Sequence, residues 1–414
     1  MVHLVTSPGG VAIALRSLLA PGIMAARWLA RAPGATGAPR APRSASLVAK
    51  MLLDELFFMT EVISARLAPA ADVGRVAAEV EAALGLYEKR GWLADAANYH
   101  VEPPALDRWA FRAQRRAWIP TIRSLAFEHL TFASDYEPHP EEPGRERWLG
   151  YTPVRTAHAW LLRHPGPPRP WLVCVHAYRM GSPLANFVAF PIDWLHRDLG
   201  VNLAFPVLPL HGPRKIGRRT GDGVFSGEIL DTIHMQAQAV WDIRRLIGWL
   251  RTQGAPAVGV YGLSLGGYTT ALLAGLERRL DCVIAGVPHA DYADLARWNL
   301  EPLILRLADG LRDGLRIDWQ ALGRLFHVVS PLAVTPCVPR EQRYLFAACA
   351  DRIVPAAHAR NLWLHWECPR ATWYEGSHVS FGWEADVHAL LDEAFRATGL
   401  AVPSGPAAPL RAAG

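Results

Sequence analysis

The period of the apolar positions changes near residue 125. Before that point, Val48, Leu52, Leu56, Met59, Ile63 and Leu67 recur every three or four residues, with Asp54, Glu55, Glu61 and Arg66 between them. This spacing predicts an amphipathic helix with one buried stripe. Asp72 suits the N-cap of a second helix carrying Val73, Val76, Val80, Leu84 and Tyr87 on one face and stopping at Gly91. Further helix or irregular structure is expected up to about Ile122. Residues 32–46 hold small residues, Pro and Arg but no large apolar side chain, which predicts a linker.

Past residue 125 the pattern becomes short apolar runs: Phe127 to Phe132, Ala157 to Leu162, Trp171 to Val175, Val201 to Leu210, Ala257 to Tyr261, Cys282 to Val287, Tyr344 to Ala348 and Ala371 to Tyr374. Helical spacings lie between several of them, as in Ile233, Ala237, Val240, Ile243, Ile247 and Leu250. Runs apolar on both faces, alternating with helices, predict a mostly parallel, doubly wound α/β sheet covered on both sides. The expected organisation is a basic tail and linker over 1–46, a helical extension over 47–123, an α/β domain over 124–397 and a disordered tail over 398–414. No internal repeat is visible.

Composition narrows the function classes. With 51% hydrophobic and 20% charged residues, the chain is neither disordered nor fibrous. A net charge of +5 suggests a nucleic-acid partner, but the 43 basic residues include only three lysines, Lys50, Lys89 and Lys215. The arginines are scattered among 38 acids, so no nucleic-acid footprint forms and none is expected as a partner. The five cysteines, Cys174, Cys282, Cys337, Cys349 and Cys368, show neither zinc spacing nor a disulfide framework, which points to a reducing cytoplasm. No uncharged apolar stretch reaches 18 residues, so no transmembrane segment is expected. The run from Gly9 to Ala32, broken by Arg16, Arg27 and Arg31, has the wrong order for a signal peptide. It suits a helix packed on the protein's own body, or peripheral contact with a membrane surface.

The candidate chemistry lies in the second part. Gly262-Leu263-Ser264-Leu265-Gly266-Gly267 follows one apolar run and precedes a helical one. G-x-S-x-G in that context lifts a serine hydroxyl clear of a sheet, with glycines where a β-carbon would collide. Such a serine needs a base oriented by an acid, in the chain order Ser, acid, His. His378 in Gly376-Ser377-His378-Val379-Ser380-Phe381 supplies the base, and Asp351 in Ala350-Asp351-Arg352-Ile353-Val354-Pro355 the acid. Asp291, after the preceding run, is the rival acid. The oxyanion donors expected are the amides of Leu265 and of Tyr178, in His176-Ala177-Tyr178-Arg179-Met180-Gly181. Arg179 suits either a substrate carboxylate or a structural ion pair. His211, His234, His289 and His365 lack metal-ligand spacing and read as structural, so no metal is expected.

On these motifs, residues 124 to 396 resemble the serine α/β-hydrolase superfamily. The resemblance implies an eight-stranded, mostly parallel sheet, a Ser264, Asp351, His378 triad and no cofactor, with a cap at 292–335 where Trp298, Leu303, Leu307, Trp319 and Phe326 line an acyl pocket or pack as core. Ala177 departs from the His-Gly often found in the family's oxyanion loop. The helical extension matches nothing in it. The expected activity is hydrolysis of a small-molecule carboxylic ester through an acyl-enzyme. The alternatives are an acyltransferase or peptidase on the same triad, or a non-catalytic binding module.

Overall fold

A computed structural model describes residue 39 and residues 44–64, 73–115, 126–225, 227–307 and 318–402. Nine strands form one sheet: β1 (Ala110–Arg115), β2 (Ala126–Ala133), β3 (Thr156–Leu162), β4 (Trp171–Val175), β5 (Asn202–Pro206), β6 (Val258–Leu263), β7 (Cys282–Gly286), β8 (Arg343–Ala348) and β9 (Arg370–Tyr374). The principal helices are α1 (Ala45–Ser64), α2 (Val73–Lys89), α3 (Ile229–Thr252), α4 (Leu265–Leu276), α5 (Tyr292–Leu307), α6 (Trp319–Phe326), α7 (Ala356–His365) and α8 (Ala385–Ala397). The sheet order is β1-β2-β3-β5-β4-β6-β7-β8-β9. The first three pairings, β1 with β2, β2 with β3 and β3 with β5, are antiparallel; the other five are parallel.

Alternation along the strands divides the core into two layers. Val173, Val175, Val258, Val260, Leu345 and Ala347 point to one face, where α2, α3, α4 and α7 pack. Leu172, Cys174, Tyr261, Leu263, Phe346 and Ala348 point to the other, covered by α8 and residues 187–199. Because both faces are buried, the parallel strands read as continuous apolar runs rather than as alternation. β4 lies between β5 and β6, so the chain leaves it in one direction and returns on its other side. That reversal opens a crevice at the carboxyl ends of β4 and β6.

The structure departs from the sequence expectations in four places. Among the described residues the sheet has nine strands instead of eight, because residues 110–115 form an antiparallel edge strand where helix or irregular structure was expected. The extension is not a separate unit: Ala83, Leu86, Tyr87, Trp92, Ala96, Tyr99 and Leu106 join the core of the α/β domain. The fifth strand ends at Pro206 instead of Leu210, where the backbone turns to a positive φ of 66°. Residues 398–402, expected to begin a disordered tail, are packed: Leu400 is buried, and Val402 N donates to Leu199 O at 2.9 Å. The expected helix at 9–32, most of the 32–46 linker, the Asp72 cap and the tail from 403 lie outside the described residues. Among those described, no helix is long and apolar enough to cross a membrane.

Candidate active site

The loops after β4, β6, β7, β8 and β9 gather at one edge of the sheet. Register aligns them: Val175 pairs with Gly262, Leu263 with Gly286, Gly286 with Phe346, and Ala348 with Tyr374. Ser264 occupies the turn between β6 and α4 at φ 54°, ψ −112°, a backbone that L-residues seldom adopt. The turn requires its glycines. A β-carbon on Gly262 would lie 2.1 Å from Gly266 O, and one on Gly266 only 2.0 Å from Val175 O. The second contact also brings the start of α4 against the end of β4.

His378 Nε2 lies 2.9 Å from Ser264 Oγ, and its Nδ1 lies 2.6 Å from Asp351 Oδ2. The other carboxylate oxygen of Asp351 accepts the amides of Ile353 at 2.9 Å and Val354 at 2.7 Å, which fixes its orientation. With Nδ1–H given to the carboxylate, the Nε2 lone pair faces the serine. Burial pushes the His378 imidazole toward its neutral form. The charge and hydrogen bond of Asp351, helped by the charge of Asp54, push it the other way, and its pKa ends above the ordinary histidine value. Asp291 is engaged elsewhere, accepting the Asp294 amide at 2.9 Å and capping the first turn of α5.

Leu265 is the first residue of α4, so its amide sits at the positive end of a helix. Tyr178 lies three residues past β4, in a loop held by polar contacts. His176 Nδ1 donates to Ala177 O at 2.8 Å, and its Nε2 accepts the Leu208 amide at 3.1 Å. Burial holds that ring neutral, with its pKa pushed down to about 4. Gly181 is bound at both ends, by Trp160 Nε1 and by Asn186 Oδ1. Arg179 takes the structural alternative, pairing with Asp222 at 2.6 Å and lying over the Tyr178 ring.

In the expected cap, Phe326 stacks on Tyr292 at 5.1 Å, Trp298 is exposed and Trp319 is half-buried, while the side chains of Leu303 and Leu307 lie outside those described. Among the described residues no group of His, Cys, Asp and Glu has the geometry to hold a metal ion.

One residue at this edge is missing from the sequence expectations. Asp54 on α1 is fully buried and accepts the amides of His378 at 2.8 Å, Arg352 at 3.0 Å and Val379 at 3.1 Å. The expected stripe is not the buried one over the side chains described; its members Met59, Ile63 and Leu67 lie outside them. Leu52 and Leu56 are exposed and Val48 half-buried, whereas Leu47, Met51, Asp54 and Glu55 face the body. The signal was present: Leu47, Met51 and Asp54 share a helix face at i, i+4 and i+7.

No family model matches the chain. Two Mycobacterium tuberculosis proteins, "Uncharacterized protein MT2702" (strain CDC 1551 / Oshkosh) and "Uncharacterized protein Rv2627c" (strain ATCC 25618 / H37Rv), are each 42% identical to it over 329 residues, 79% of this chain and 76% of theirs. The chain belongs to their family. Among solved structures, this family member is similar to acetyl xylan esterase 1 from Thermoanaerobacterium sp. JW/SL YS485, with 13% identity over 77% of this chain and 94% of that one and a TM-score of 0.47. It is also similar to an acetyl xylan esterase from Paenibacillus sp. R4, with 13% identity over 75% and 99% of the two chains and a TM-score of 0.48. A mostly parallel sheet covered by helices on both faces, with a strand-to-helix elbow after β6, is the arrangement of the α/β-hydrolase fold.

Proposed function

We propose that this protein is a serine hydrolase that cleaves small-molecule carboxylic esters through an acyl-enzyme. The observation that supports this reading is the unbroken hydrogen-bonded line from Ser264 Oγ through His378 to Asp351, at 2.9 and 2.6 Å. Ser264 Oγ attacks the ester carbonyl as its proton passes to His378 Nε2. Asp351 keeps the productive tautomer and stabilises the imidazolium. The oxyanion forms against the amides of Leu265 and Tyr178, which are worth most where water is excluded. Collapse releases the alcohol, which takes the proton from His378. Water then attacks the acyl-enzyme with His378 as base, and Ser264 leaves with its proton restored. Arg352 follows the acid directly, and its side chain is tied to Glu55 of α1, so the extension and the α/β domain form one working unit in this reading.

The test is turnover of a chain-length panel of chromogenic esters by the full-length protein, with amide and thioester analogues alongside and Ser264→Ala as the control. Ester turnover lost in Ser264→Ala is the expected result. Faster turnover of the amides would favour a peptidase, and transfer to an added alcohol in preference to water an acyltransferase. No turnover of any analogue would leave the binding-module alternative standing.

A further inference from the structure

Over the side chains described, residues 45–57, helix α1 meets the α/β domain through a contact that is more polar than apolar. The apolar part there is Leu47 and Met51 against Ala350. Lys50 Nζ reaches Glu384 at 2.7 Å and Glu375 O at 3.1 Å, and Glu55 pairs with Arg352 at 3.0 Å. At the centre lies the Asp54 carboxylate, whose Oδ2 accepts the amides of His378 and Arg352 and whose Oδ1 accepts that of Val379. Burying a carboxylate is costly, and an apolar side chain would dock a helix more cheaply. The acid provides something an apolar side chain cannot. Arg352 directly follows Asp351, His378 is the candidate base itself, and their loops leave two different strands. One carboxylate thus grips both loops through charge-assisted hydrogen bonds, roughly twice as strong as neutral ones.

We propose that Asp54 is a positioning residue of the active site, its carboxylate locking the Asp351 and His378 loops in register, so that α1 is a working part of the enzyme. The consequence for turnover rests on the serine-hydrolase reading; the consequence for loop geometry does not. Asp54 never touches the reacting atoms. It acts by holding the backbone on which the acid and base are mounted, and by adding a second negative charge that favours the imidazolium.

The groups facing Asp54 set its pH dependence. Asp351 opposes its ionisation, while His378 and the Arg352 and His378 amides favour it. Lys50 and Glu55, on its own helix, are engaged with Glu384 and Arg352. Burial first and Asp351 second push its pKa up to about 6, so acid loosens the clamp and neutral pH sets it.

The experiment compares full-length wild type with Asp54→Asn, Met51→Ala and the exposed-face control Leu56→Ser. Three readouts are taken: steady-state kinetics on the best ester, the titration of His378 by NMR with labelled histidine, and amide exchange at Arg352, His378 and Val379. In Asp54→Asn, kcat falls by up to about 10²-fold, the scale of a displaced catalytic group, while KM moves little. His378 titrates at lower pH and the three amides exchange faster. Met51→Ala, which thins the contact but keeps the carboxylate, gives a smaller loss in the same direction, and Leu56→Ser matches wild type. A folded Asp54→Asn protein with wild-type kcat, titration and exchange overturns the proposal. Should that variant fail to fold, Met51→Ala decides: faster exchange without loss of kcat overturns it equally. If wild type itself neither turns over esters nor takes a phosphonate on Ser264, the hydrolase reading fails on its own. The His378 titration and the amide exchange then still test Asp54.

Discussion

At the residue scale, the proposed chemistry depends on two hydrogen bonds of His378, to Ser264 Oγ at 2.9 Å and to Asp351 Oδ2 at 2.6 Å. Asp351→Asn puts a carboxamide of the same shape where the carboxylate was and favours the wrong imidazole tautomer. It is expected to lower kcat by about 10⁴, whereas Asp291→Asn, which only weakens a helix cap, should change it little. Equal losses in the two variants would contradict the assignment of the acid. The pH profile carries a second prediction. His378 must be neutral to accept the serine proton, and its pKa lies above the ordinary value near 6.5. The acid limb of kcat/KM should therefore lie above about 6.5 in wild type and move down in Asp54→Asn. Stability runs the other way. The Asp54 pKa is raised from 3.8 to about 6, so the fold favours its protonated form. That contribution is complete below pH 3.8 and is lost as pH rises through 6, at a cost of about 3 kcal/mol. Thermal melts across this window should show wild type losing stability relative to Asp54→Asn. Ser264 and His378 were legible because a strand-to-helix glycine turn and a small-residue loop are local patterns. For Asp54 only its place on a helix face with Leu47 and Met51 was, because the role proposed for it depends on loops some three hundred residues further along the chain.

At the element scale, the two N-terminal helices separate by what they bury. α2 inserts Ala83, Leu86 and Tyr87 into the main core, and Tyr87 and Tyr99 both donate to the buried Glu142, at 2.5 and 2.9 Å. Among its described side chains, α1 offers two apolar ones and a carboxylate. Deleting residues 1–72 should therefore leave a folded protein with a large loss of kcat. Deleting residues 1–92 should produce aggregation or a much lower melting temperature, because Tyr87 leaves with α2. Solubility, melting temperature and ester turnover of the two truncations check this, and an active shorter truncation would contradict the role given to α1. The α2 face was readable: Val80, Leu84 and Tyr87 fall on or in the core, and the helix ends at Lys89, with the expected Gly91 in the left-handed turn just past it at φ 73°. β1 was not readable, since Ala-Phe-Arg-Ala-Gln-Arg carries one large apolar residue and an edge strand needs only one partner.

At the scale of the whole molecule, the parallel strands were the most legible feature, because a strand buried on both faces has little freedom in composition. The apolar stripes of the extension called for a covering surface, and the body of the protein was the cheapest one; which side chains would enter the α/β core could not be read, because that is a property of packing between distant segments. A shared core predicts joint loss. Tyr87→Ala should cost about 3–5 kcal/mol, as other large-to-small aromatic changes do, and lower the melting temperature of the α/β domain in a single transition. The central claim, that Ser264 is the nucleophile of a working triad, is tested most directly by mapping the site of fluorophosphonate labelling on the intact protein. One phosphonate per chain on Ser264, absent in Ser264→Ala and strongly slowed in Asp351→Asn, is the result expected. Stoichiometric labelling of another serine, or labelling of Ser264 at the rate of an exposed surface serine, would contradict it.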